Sequence, residues 1–193
     1  MKLVNIIQSG GMRFLVFIFI FLFSWIGFYL SSKWVIGWNV ESIDTIYTDS
    51  RKAILFEDKN DDTFGIAIYE KYGPFYFKMD MTTSHELVDG EPFTPTGLAV
   101  DEGFWIAIKL PPSSNIKYFA VGNHLEEDST LNDTLTLEDI KNHSSEYTIV
   151  PVEGQYVFLL VDDYSEKTWT IRGFDSSGKL IADKFSNSPR YLD

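Results

Sequence analysis

Thr168–Phe185 reads TWTIRGFDSSGKLIADKF, and the reading of this stretch decides the fold class. TWTIRGF alternates apolar or aromatic residues with polar ones, the period of two that marks a half-buried strand. DSSGK supplies a turn, with Gly178 where a left-handed backbone is needed. KLIADKF then returns as a second alternating segment, so the whole reads as an antiparallel hairpin.

The same pattern continues toward the N-terminus. Glu146–Val152 and Gln155–Val161 are short strand-like runs. Ile116–Val121 is another, stopped by Gly122 and Asn123 and preceded by the turn-forming cluster Pro111, Pro112, Ser113, Ser114, Asn115. Phe104–Leu110 and Phe75–Met81 add two more. Lys52–Glu57 and Phe64–Tyr69 flank the polar turn Asp58–Thr63 and read as a second hairpin. These runs make eight or nine strands. One short helix is expected where Thr136 caps TLEDIKNH, with Asp139 in the third position of a capping box. Thr82–Gly97, which contains Asp89, Gly90, Pro92 and Pro95, reads as a long loop. The expected fold is mainly β, a sandwich or a partly open barrel. The alternative is an α+β sheet with one or two short helices.

A different element precedes this domain. Phe14–Leu30 is FLVFIFIFLFSWIGFYL, seventeen residues without a charge. As a helix it would span about 26 Å, close to a hydrocarbon core of roughly 30 Å. Trp34 and Trp38 follow it where indole favours headgroups, and Lys33 can snorkel to the same level. A cleavable signal peptide would have a shorter apolar region and small residues at the cleavage site. The sequence therefore predicts a transmembrane anchor. Lys2, Arg13 and the amino terminus precede the span, which favours an N-terminus inside the cell. The expected organisation is a short cytoplasmic start (1–13), a transmembrane helix (14–33), a juxtamembrane linker (34–45) and an extracytoplasmic β-domain (46–193).

Charge and composition sharpen this division. The 193 residues carry 16 basic and 28 acidic side chains. Three of the basic residues lie in the first 33, so the remainder holds 13 basic and 28 acidic residues, a net of −15. Such a surface disfavours nucleic acid, whose phosphates need a basic footprint. Zero cysteine excludes disulfides, thiolate zinc sites, a cysteine nucleophile and an acylated cysteine anchor.

Chemistry-bearing patterns are sparse. His85, His124 and His143 lack metal-binding spacing. No G-x-S-x-G elbow, no S-x-x-K element placed before a helix and no glycine-rich phosphate loop is present. No catalytic residue, cofactor or resident metal is therefore expected. Asp58, Asn60 and Asp62 form a D-x-N-x-D turn whose alternate oxygens suit calcium, although Thr63 and Tyr69 stand where an EF-hand needs Gly and Glu. Asp162, Asp163 and Glu166 make a second acidic turn. Among the aromatic strand residues, Trp105, Tyr118 and Trp169 are candidates for a partner surface, against the ordinary role of such residues in core packing.

The phrases KAILFEDKNDDTFGIAIYEK (Lys52–Lys71) and SSNIKYFAVGNH (Ser113–His124) resemble small, single-span, membrane-anchored extracytoplasmic proteins of Gram-positive, Bacillus-type bacteria. The resemblance spans Ile46 to His124 and supports the exported topology. It carries no catalytic residues, since that group has no assigned activity.

Three functions are compatible with these readings. The first is a membrane-anchored interaction or sensing module without catalysis, its partners being the bilayer and another protein or a cell-wall component. The second is a cell-wall-facing glycan hydrolase using a carboxylate pair. The third is a calcium-dependent binding domain built on Asp58–Asp62.

Overall fold

The computed structural model describes residues 18–20, 22, 40–73, 76–101, 103–123, 135–161, 169–185 and 188–192. Of the expected anchor, only Ile18, Phe19, Ile20 and Leu22 fall in this set, helical and exposed. The rest of 14–33, Trp34, Trp38, His124 and the Asp162–Glu166 turn lie outside the described residues. Among the described residues no helix is long and apolar enough to cross a membrane.

The described chain is mainly β. Its strands are β1 (Val40–Tyr47), β2 (Arg51–Asp58), β3 (Thr63–Tyr72), β4 (Tyr76–Glu86), β5 (Thr94–Val100) and β6 (Gly103–Lys109). They continue with β7 (Tyr118–Asn123), β8 (Tyr147–Pro151), β9 (Tyr156–Val161), β10 (Trp169–Phe174), β11 (Leu180–Phe185) and β12 (Arg190–Tyr191). One short helix, α1 (Leu137–Lys141), precedes β8. The strands form three antiparallel sheets, ordered β1-β2-β3-β4, β5-β6-β9 and β12-β11-β10-β7-β8. No closed barrel is formed among the described residues.

The three-stranded sheet is the centre. On β6, Phe104, Ile106 and Ile108 join one apolar cluster with Phe119, Val121 and Ile171 of the five-stranded sheet. Trp105 and Ala107, on the opposite face, join Ala53, Leu55, Phe64, Ile66 and Ile68 of the four-stranded sheet. A strand buried on both faces needs a continuous apolar run rather than alternation, and FWIAIK is that run. The far face of the five-stranded sheet is covered by α1, whose Leu137 and Ile140 pack with Phe174, Leu180 and Tyr147. The far face of the four-stranded sheet holds Ile54, Phe56, Ala67 and Tyr69, with Phe77 and Met79 against them. Tyr47 of β1 and Phe77 of β4 place their rings 6.5 Å apart across the two intervening strands.

Three sequence readings need correction. Thr82–Gly97 is not one long loop. Thr82–Glu86 completes β4, Thr94–Gly97 begins β5, and Phe93 between them is fully buried. Its prolines misled because edge strands tolerate them: Pro95 sits on β5, which pairs with β6 alone. Val40–Tyr47, assigned in part to the linker, is the edge strand β1, and its polar sequence reflects one-sided pairing with β2. The two-residue strand β12 is too short to carry a periodic signal.

Candidate functional site

An open cavity of about 640 Å³ lies between α1 and the β10–β11 turn. Leu135, Leu137 and Leu180 form its apolar floor, and Tyr118 flanks it. Thr136, Glu138 and Lys141 contribute from the helix side, and Ser176, Ser177, Gly178 and Lys179 from the turn.

Local sequence builds both walls. In the turn, Asp175 Oδ1 accepts from Ser177 N at 2.8 Å, Ser177 Oγ at 2.7 Å and Lys179 N at 3.1 Å. Gly178 adopts φ +84°, the left-handed region that glycine enters without strain. On the helix side, Thr136 and Asp139 form the full capping box. Thr136 N donates to Asp139 Oδ2 at 2.8 Å, and Asp139 N donates to Thr136 Oγ1 at 3.3 Å. These hydrogen bonds hold the Asp139 carboxyl below the usual range, led by the Thr136 hydroxyl. Asp175 is lowered similarly, led by the Ser177 hydroxyl.

The walls are joined to each other. The first free helical N–H, on Leu137, donates to the Gly178 carbonyl at 3.0 Å. Thr136 and Lys179 form an isolated antiparallel bridge. A Cβ on residue 178 would meet the Leu137 Cβ at 3.3 Å, so the helix lies close against the turn.

The chemistry of the cavity is amphiphilic. The Thr136 hydroxyl donates to Asp139 and the Ser177 hydroxyl to Asp175, so both protons are engaged within their own walls. Among the described residues, the lining carries two exposed ammonium groups, Lys141 and Lys179, and one carboxylate, Glu138. Glu138 and Lys141 are 3.9 Å apart and largely solvated, a weak ion pair. The described lining is thus slightly cationic in a strongly acidic domain. It suits a small ligand with an apolar or ring face and an anionic group.

The other charged centres have structural roles. Glu57 Oε1 accepts from Lys109 Nζ at 2.9 Å and from the Tyr156 hydroxyl at 2.6 Å. The Lys109 ammonium also lies over the Phe64 and Tyr156 rings, 5.8 Å from each centroid. The Tyr156 and Lys109 hydrogen bonds hold Glu57 below its usual range, and burial pushes the Tyr156 phenol up. Fully buried Asp183 is held by Arg190 through two hydrogen bonds, at 2.8 and 3.2 Å. Buried Arg172, beside Asp183 across the β10–β11 ladder, donates to the Tyr147 hydroxyl.

The residues singled out by sequence are dispersed. Tyr118 is partly exposed and lines the cavity. Trp105 offers no partner surface: it is fully buried at the middle of the molecule, its ring 5.8 Å from that of Phe158. The side chain of Trp169 lies outside the described residues. In the acidic turn, Asp58 Oδ1 accepts the Asn60 N–H at 2.9 Å and Asp62 adopts φ +51°. Lys109 Nζ stands 3.8 Å from Asp62, so an ammonium already faces this turn. Among the described residues no group of three or more His, Asp or Glu side chains is placed to hold a metal ion. Sequence reading identified the two walls, as a capped helix and a hairpin turn, but not their meeting. Nothing local in the sequence encodes a contact between segments some forty residues apart. Compared with protein-family models, with curated proteins and with solved structures, the chain matches none.

Proposed function

We propose that the chain is a single-pass, membrane-anchored module whose acidic β-domain lies outside the cytoplasm and binds a ligand without transforming it. Its binding site is the cavity between α1 and the β10–β11 turn. The observation that carries this reading is the construction of that cavity. Its two walls are pinned together by the Leu137–Gly178 hydrogen bond, its floor is apolar, and two lysines stand at its edge. A preformed concave site with an apolar base and a few polar groups is the usual form of a ligand pocket. The anchor rests on the uncharged run Phe14–Leu30 and the basic residues before it.

The carboxylate arrangement also favours binding over glycan hydrolysis. Hydrolysis needs two carboxyls roughly 5–10 Å apart across a cleft. Among the described residues the cavity is lined by one acid, Glu138, while partly buried Glu57 and buried Asp183 are each tied to a cation.

Amide chemical shifts of the full chain in lipid nanodiscs, titrated with anionic saccharides, test this proposal. Shifts confined to Tyr118, residues 136–141 and residues 176–180, and abolished in Tyr118→Ala and Lys141→Glu, are expected. Shifts centred elsewhere, or conversion of the saccharide to product, would overturn it. Protease accessibility of the β-domain on intact cells tests the orientation independently.

A further inference from the structure

Strand β9 forms one edge of the central sheet. Among the described residues it pairs with β6 alone. The ladder fixes which of its main-chain groups point outward. Leu110 N donates to Gln155 O at 2.8 Å, and this pair continues the β6–β9 register. Hydrogen-bonded pairs alternate along an antiparallel ladder, so Val157, Leu159 and Val161 bond toward β6. The N–H and C=O groups of Tyr156, Phe158 and Leu160 therefore point away from the sheet, and these three residues are the partly exposed ones of the strand. The other described edges are blunted in the ways that edge strands commonly are. β1 has a bulge between Ser42 and Asp44 and carries Glu41 and Asp44. β4 carries Lys78 and Asp80, β5 has Pro95, β8 has Pro151, and β12 is two residues long. β9 reads YVFLLV, without charge, proline or bulge.

The packing makes this edge a slot. β6 lies on β3, with Trp105 and Ala107 against Phe64 and Ile66, and Tyr156 of β9 reaches β2, donating to Glu57 at 2.6 Å. β1, next to β2 in its sheet, thus extends past β9, and its Ile46 packs on the same apolar cluster as Tyr156, Phe158 and Leu160. A strand added to β9 would lie beneath β1. At the Tyr156 end stand Glu41, Glu57, Asp58, Asp61 and Asp62. The cations there are Lys59 and Lys109, paired with Glu41 and Glu57 respectively, so three aspartates are left in excess. We propose that β9 binds, by strand addition, an extended segment of another protein with an apolar centre and basic flanks. The outward main-chain groups supply affinity, the slot selects alternate side chains, and the excess acids select the basic flank. A second copy fits this edge poorly. Twofold pairing of two β9 strands would set the partner's β2 where β1 stands, and would join two domains of net charge −15. The slot shares no residue with the cavity beside α1, so it goes beyond the proposed function and does not depend on it.

The probe is a fluorescein-labelled peptide, Lys-Lys-Val-Thr-Val-Thr-Val-Lys-Lys, titrated into the full chain in phosphatidylcholine nanodiscs. Binding should slow hydrogen exchange at the Tyr156, Phe158 and Leu160 amides about tenfold, while the Val157 and Leu159 amides stay protected throughout. N-methylation of the peptide's valines, whose amides would face β9, should weaken binding about tenfold or more. Leu160→Pro removes one outward N–H and should weaken binding about tenfold without unfolding the chain, because proline is tolerated where an edge N–H faces outward. Leu160→Ala, which keeps that N–H, should weaken it less. A peptide with glutamate in place of lysine should not bind. Failure of the lysine peptide to bind, binding that survives N-methylation, or equal binding of the glutamate peptide would overturn the proposal. A melting scan in which Leu160→Pro is unfolded and Leu160→Ala is folded would place that N–H in the β6 ladder and also overturn it. So would protection of the three amides that rises with the concentration of the chain alone, which would assign the edge to a second copy.

Discussion

Lys109 Nζ lies 2.9 Å from Glu57 Oε1, joining the central sheet to the four-stranded sheet through a nearly buried ion pair. The Lys109 side chain is 9% exposed and that of Glu57 21% exposed. Removing the acid leaves the deeper charge uncompensated, so Glu57→Ala should cost about 2 kcal/mol, a value reduced for partial solvent access. Lys109→Met should cost less, because Glu57 keeps the Tyr156 hydroxyl and some water. Denaturant unfolding of both variants checks this asymmetry.

The same pair sets an acid response. Glu57 is held below its ordinary value of 4.5 in the folded state, by Tyr156 first and Lys109 next. A depressed carboxyl stabilises the fold above the unfolded-state value, and that contribution is lost as pH falls through the folded one. Stability should therefore decline below about pH 4.5, and Glu57→Gln should flatten that part of the profile. A profile unchanged by the substitution would show that other carboxyls dominate.

Calcium should leave the melting temperature unchanged. Lys109 already faces Asp62, and the Asp58 carboxylate is engaged by the Asn60 N–H. A ligand that bound only the folded state would raise the transition in proportion to its occupancy. Differential scanning calorimetry in calcium and in chelator makes the comparison; a reproducible rise in calcium would restore the turn as a metal site.

Tyr69 gives a response at the other end of the pH scale. Its hydroxyl is buried without a hydrogen-bond partner, and burial pushes the phenol from 10.0 up to about 12. A group with a raised folded pKa contributes fully below the unfolded value and is lost as pH rises toward the folded one. Wild-type stability should fall by about 2 kcal/mol between pH 10 and 12 from this residue. Tyr69→Phe should remove that loss and raise neutral-pH stability by about 1 kcal/mol, since it deletes an unpaired buried hydroxyl. Urea titrations at pH 7, 10 and 11.5 provide the measurement.

Gly65 of β3 has no room for a side chain beside β4. A Cβ there would stand 1.9 Å from the Thr83 carbonyl oxygen and 2.8 Å from Phe56 Cζ. The backbone oxygen cannot yield without breaking the ladder, so Gly65→Ala should destabilise by about 3 kcal/mol or more. Gly178→Ala meets only the Leu137 Cβ at 3.3 Å and pays for a left-handed backbone, so it should cost about 1 kcal/mol. Equal losses in the two variants would contradict this steric account.

Much of the strand content was legible because it is local. KAILFE and FGIAIY fall within β2 and β3, and TWTIRGF and KLIADKF within β10 and β11, apart from one flanking residue each. The Thr136–Asp139 capping box was legible for the same reason, since both partners lie within one helical turn. Trp105 was not. An aromatic residue on a strand looks the same in sequence whether it faces solvent or a second sheet. Burial on both faces of β6 depends on strands contributed from elsewhere in the chain. The cavity was hidden likewise, since Leu137 and Gly178 meet only when α1 folds onto the five-stranded sheet.

The sequence by itself determined the antiparallel β character of the domain, its turns, its helix cap and the separation of an apolar N-terminal run from an acidic remainder. These follow from periodicity, backbone restriction and charge, all properties of neighbouring residues. Tertiary structure alone decided that three sheets share a doubly buried middle strand, that the Lys109 ammonium faces the D-x-N-x-D turn, and that α1 meets the β10–β11 turn. Those outcomes depend on strand order and register, which bring together side chains that no local rule connects.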